Sequence, residues 1–69
     1  MKKEIVIVTS KGRCYYRISE YDRKFYVYRQ GTGFFDSDKE VGSARTLDDA
    51  ITVAKADAPG SFEKIEFKS

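Results

Sequence analysis

The chain has 69 residues, 41% hydrophobic and 35% charged, with a net charge of +2; that is room for a single domain and no strong bias toward a polyanionic partner. Its lone cysteine, Cys14, rules out an intrachain disulfide, and without histidine the usual zinc donors are missing. A chain this short buries only ~60% of the surface its unfolded form exposes, so its stability must come from packing, association or both.

Residues 4–9 (EIVIVT) are rich in β-branched side chains and predict a strand with Ile5 and Ile7 on one face and Val6 and Val8 on the other. Apolar residues on both faces suit a strand away from the sheet edge. The apolar run 5–8 is shorter than a signal peptide requires, and no run approaches the ~20 residues of a membrane span. A cytoplasmic protein with no membrane role is therefore expected. Ser10, Lys11 and Gly12 predict a short turn into an antiparallel strand.

Residues 13–19 and 24–30 predict two further strands joined through residues 20–23. Sorting by a period of two places Cys14, Tyr16, Ile18, Phe25 and Val27 on a core face. The other face collects Arg13, Tyr15, Arg17 and Ser19, then Lys24, Tyr26, Tyr28 and Gln30. Gly31-Thr32-Gly33 is a turn signal, followed by Phe34, Phe35, a polar run and a short strand expected over residues 41–44.

Residues 46–57 predict the one helix. Thr46 is a suitable N-cap with Asp49 three residues on, and Asp48 and Asp49 suit the positive end of the helix dipole. Leu47, Ala50, Ile51, Ala54 and Ala58 form an apolar stripe, and Pro59-Gly60 ends the helix. Residues 62–68 predict a last strand with Ile65 and Phe67 on one face. The expected fold over residues 1–69 is a single α+β domain: a small two-layer unit with an antiparallel sheet of four or five strands, a single helix packed on the Tyr16/Phe25 face, and the order β-β-β-(β)-α-β.

Motifs for chemistry do not assemble. Asp36, Asp38 and Glu40 have the spacing that opens a calcium loop, but the required glycine and glutamate positions hold Val41 and Leu47. The glycine pair at 31 and 33 lacks the third glycine and the helix of a dinucleotide site. Arg13 and Arg17 lie near Cys14 in sequence, yet the thiol has no histidine and belongs to the core set. Asp48 and Asp49 point apart at a helix start and make no acid/base pair. No catalytic residue, metal, cofactor or small-molecule ligand is implied, and the chain reads as non-enzymatic.

Charge is segregated: residues 1–30 carry eight lysines and arginines against three carboxylates, whereas residues 31–69 carry five against eight. The uncovered Arg13, Tyr15, Arg17, Lys24, Tyr26, Tyr28 face is the candidate binding surface. Tyrosine and arginine are enriched in protein interfaces, and Val6 and Val8 on the same side call for apolar cover, so protein–protein binding or a homodimer is the leading expectation. The alternative is a single-stranded nucleic acid stacked on the tyrosines. A third reading gives the face no special role, with the segment 34–44 folded over Val6 and Val8.

Overall fold

The computed structural model describes residues 2–31 and 37–68. The elements run β1 (Lys2–Thr9), β2 (Gly12–Tyr21), β3 (Lys24–Arg29), β4 (Lys39–Ala44), α1 (Leu47–Asp57) and β5 (Phe62–Phe67). The readings on Thr32, Gly33, Phe34, Phe35 and Asp36 lie outside the described residues.

The strands form one antiparallel sheet in the order β4-β3-β2-β1-β5, with the helix against one face: the small α+β arrangement expected. The β-branched run of β1 is interior, paired with β2 on one side and β5 on the other. Its alternation then decides the layers. Ile5 and Ile7 enter the core with Tyr16, Ile18 and Val27, together with Ala50 and Ala54 of the helix.

The β2–β3 connection is tighter than residues 20–23 suggested. Strand pairing continues through Tyr21↔Lys24, leaving Asp22 and Arg23 as a two-residue turn. Both are left-handed, at φ 53° and 63°, the backbone of the mirror-image turns that match strand twist. Aspartate tolerates this conformation through its short polar side chain, whereas Arg23 pays a steric penalty at Cβ.

The helix is capped as its sequence implies. Thr46 is extended (φ −127°, ψ 158°), and its Oγ1 accepts the Asp49 N–H at 3.1 Å. At the other end Ala58 turns extended, as a residue before proline prefers, while its N–H still donates to the Ala54 carbonyl at 3.1 Å. The helix lies chiefly over β4 and β3. Close approach depends on small residues on both sides: a Cβ at Gly42 would stand 2.7 Å from Cγ1 of Val53.

Thr9 locks the first turn to the segment after the helix. Its buried hydroxyl donates to the Pro59 carbonyl at 2.5 Å and accepts the Lys11 N–H at 3.1 Å. The Ser10 N–H donates to the Ser61 carbonyl and the Ser61 N–H to Ser10 Oγ, each at 2.9 Å. These contacts deliver β5 beside β1. Among the described residues no helix is long and apolar enough to cross a membrane.

Two substitutions test this construction by chemical denaturation. Arg23→Gly is expected to stabilise the fold by ~0.5–1 kcal/mol, because glycine removes the left-handed penalty and gives back part of it as backbone entropy. Gly42→Ala is expected to cost ~1–3 kcal/mol, and Gly42→Ala in a Val53→Ala background less, since the added methyl then has room.

Candidate interaction face of the sheet

The face away from the helix carries all six candidate residues, but they are not equally close. Arg17 stands opposite Tyr28, with its guanidinium carbon 5.7 Å from the Tyr28 ring centre. Tyr15 is two residues before Arg17 on β2, opposite Val6, and is 43% exposed. Tyr26 lies between Ser19 and Ser43, half-buried like Tyr28. Arg13 and Lys24 mark the two ends, since Arg13 pairs across from Val8 and Lys24 from Tyr21. The working cluster is therefore Tyr15, Arg17, Tyr26 and Tyr28.

The strand register adds residues that local reading missed. Tyr21 continues the odd-numbered face of β2 and is highly exposed; its place in a presumed turn had hidden it. More consequential are the carboxylates. Arg13 is ion-paired with Glu66, and Arg17 with Asp38 at 2.6 Å. Glu40 pairs across from Tyr28, Glu4 lies opposite Arg17, and Lys64 reaches Glu66 at 3.4 Å. The Arg13 hydrogen bond holds the Glu66 carboxyl below the usual range, and Glu66 raises Arg13 in return. Lys2, Arg13, Arg17, Lys24 and Lys64 thus share the face with Glu4, Asp38, Glu40 and Glu66, so its charge is nearly balanced. Arg17 Nε is buried without a partner among the described residues.

One expectation is corrected here. Val6 and Val8 were expected to sit exposed on the open side and to call for apolar cover, yet Val6 is fully buried (0% exposed) and Val8 half-buried within the chain. The chain therefore shields Val6 itself, and the Arg17–Asp38 ion pair places Asp38 on the same face.

The helix side carries a second polar arrangement. The fully buried Tyr16 donates its hydroxyl to Oδ2 of Asp57 at 2.8 Å, and the Arg29 guanidinium donates to the same oxygen at 3.2 Å. Burial raises the Tyr16 pKa well above its ordinary value near 10, and the Asp57 hydrogen bond adds to the shift. Beside Arg29 an open cleft of about 450 Å³ is lined by Cys14, Gln30, Gly31, Ser37, Lys39 and Pro59. Cys14 is half-buried rather than enclosed in the core. Its strand places it opposite Ile7 on the helix side, whereas Arg13 and Arg17 point to the other face and cannot activate it. Among the described residues no group of three or more cysteines and carboxylates is placed to hold a metal ion.

Comparison with protein-family models, curated proteins and solved structures found no match to this chain.

Tyr16→Phe tests the helix-side anchor. It is expected to cost ~1 kcal/mol near neutral pH through the lost hydrogen bond. Because the folded-state pKa of Tyr16 is raised, its contribution is present below the ordinary tyrosine pKa and fades as pH rises through that value toward the folded one. Urea denaturation from neutral to alkaline pH should therefore show the difference between the two proteins narrowing above about pH 10.

Proposed function

We propose that this chain is a small, non-enzymatic protein-association module whose working surface is the tyrosine-bearing face of the sheet. The observation that carries the reading is the pairing of its cations. A single-strand binding groove needs unopposed positive charge along its length, because phosphate neutralisation supplies most of the affinity. Here Arg13 and Arg17 already hold Glu66 and Asp38. What remains is a mosaic of partly exposed tyrosine rings among balanced charges. That composition suits a protein partner: aromatic rings bury area at little entropic cost, while ion pairs at the rim set orientation and exclude wrong partners. Arg17 stacked against Tyr28 pre-orders the centre of the face, reducing what binding must immobilise.

Two measurements test the reading. In the source cell, a photoreactive phenylalanine analogue at Tyr15 is expected to give protein adducts that the same analogue at Thr52, an exposed helix position, does not give. For the partner so found, Tyr15→Ala should weaken binding by about thirtyfold. Titration of the amide spectrum with mixed single-stranded oligonucleotides at low salt is expected to leave it unmoved. Salt-sensitive shifts confined to residues 13–17 and 24–28 would assign the face to nucleic acid, and equal adducts from Tyr15 and Thr52 would remove the face as a specific surface.

A further inference from the structure

The two edges of the sheet are unlike. β4 carries a register shift opposite Val27 and Tyr28 and has the helix packed along it. A bulged, covered edge is a poor template for another strand. Among the described residues β5 has β1 on one side only, and its register shift lies at its beginning, opposite Val8 and Thr9. From Lys64 to Phe67 it runs in regular register.

Its hydrogen-bonding direction follows from one contact. The Lys68 N–H donates to the Glu4 carbonyl at 2.8 Å, so the even-numbered residues turn their backbone groups toward β1. By alternation the N–H and C=O groups of Ile65 and Phe67 face outward. The side chains on the helix side of this edge are also incompletely covered. Phe67 is 56% exposed and Phe62 45%, with Ile65 half-buried between them; Lys3 and Lys55 lie over the two rings, at 5.5 Å and 4.4 Å.

Charged side chains usually protect an edge from pairing. Those of β5 protect it against most registers but favour one. In an antiparallel pair of two identical strands, the registers that bring outward-facing groups together and overlap over three or more residues of β5 centre on Glu63, Lys64, Ile65 or Glu66. Centring on Lys64 sets it against its own copy, and centring on Glu63 or Glu66 does the same for that carboxylate. Centring on Ile65 sets Lys64 opposite Glu66 of the second copy, twice by symmetry. The same register lets the two Ile65 residues exchange backbone hydrogen bonds and brings them together on the helix side, with each Phe67 diagonal to the second copy's Ile65 and opposite its Glu63.

We infer that the β5 edge binds a second copy of this chain, antiparallel and two-fold symmetric about Ile65, so that the two sheets become one. The paired backbone edge is distinct from the tyrosine cluster, although Lys64 and Glu66 also border that face; the inference stands without the function proposed above.

Sedimentation equilibrium over micromolar to millimolar concentration is expected to show a monomer–dimer equilibrium. Lys64→Glu should weaken it by about tenfold, because two complementary cross-strand pairs become like-charged. The charge swap Lys64→Glu with Glu66→Lys should restore affinity to within about threefold of the original, as both pairs become complementary again. In a mixed sample of differently labelled chains, an intermolecular contact between the α-protons of Lys64 and Glu66 should mark the register. A chain monomeric at millimolar concentration overturns the inference. So does a dimer indifferent to Lys64→Glu, or a charge swap as weak as the single variant. Tyr15→Ala should leave this dimer unchanged, so failure of the tyrosine-face reading and failure of the dimer are distinguishable.

Discussion

One helix must cover one side of five strands, and it is too narrow to do so. A helix with its side chains is ~10 Å across, whereas five strands spaced ~4.8 Å apart span ~19 Å between the outermost axes. The helix settles over β3 and β4, where Gly42 and the alanines allow close contact. Its far end is held by Tyr16, whose ring occupies the core and whose hydroxyl reaches Asp57. The β5 margin is left beyond the helix. Ile65 is only partly covered there, and Phe62 and Phe67 stay about half exposed, each with a lysine over its ring. An exposed apolar edge is therefore a consequence of the layer geometry, independent of any role assigned to it.

Among the described residues the opposite side has no second layer, and this explains why Tyr15, Arg17, Tyr26 and Tyr28 are concentrated in β2 and β3. A face without a covering element still has apolar positions to protect, as the complete burial of Val6 shows. Long amphipathic side chains meet both demands, laying rings or methylene stems over the sheet while keeping polar tips in water. Tyr15 and Glu66 are the direct cross-strand neighbours of Val6, with Arg13 and Arg17 on the diagonals. About half of the aromatic stretch is core and half is this partial roof. A residue that shields Val6 is also one that a partner would meet first, so under the proposed function structural and binding roles would coincide in the same rings.

How far this was legible in the sequence depends on the range of the interaction concerned. The β1 run, the Thr46 cap and the Pro59 stop are local signals, and each marks the element that forms. The pattern in β2 and β3 separates Tyr16 and Val27 from Tyr15 and Tyr28 correctly because period-two alternation needs no knowledge of partners. The Asp22–Arg23 turn was obscured because arginine is a poor residue for left-handed backbone, and Tyr21 was lost with it. The position of β5 beside β1 depends on Thr9 reaching Pro59 and Ser10 reaching Ser61, contacts spanning some fifty residues that no local pattern announces. Charge balance was hidden for the same reason. Residues 1–30 look basic alone, and only the fold brings Asp38, Glu40 and Glu66 onto the face with them.

The two surfaces are geometrically compatible. A two-fold axis through the paired β5 strands, perpendicular to the sheet, keeps the same face of each copy on the same side. Both tyrosine clusters would then look in one direction. Counting strands from β2 through β1 and β5 to their symmetry mates places the two Tyr15 rows ~24 Å apart at ordinary strand spacing. Helices would occupy the other side and leave that span unobstructed. A partner bearing two matching segments at this separation would engage both clusters, with the second contact made at the high effective concentration created by the first. Individually modest tyrosine contacts on a 69-residue chain would in this arrangement add to a selective interaction, with spacing contributing to recognition alongside side-chain chemistry.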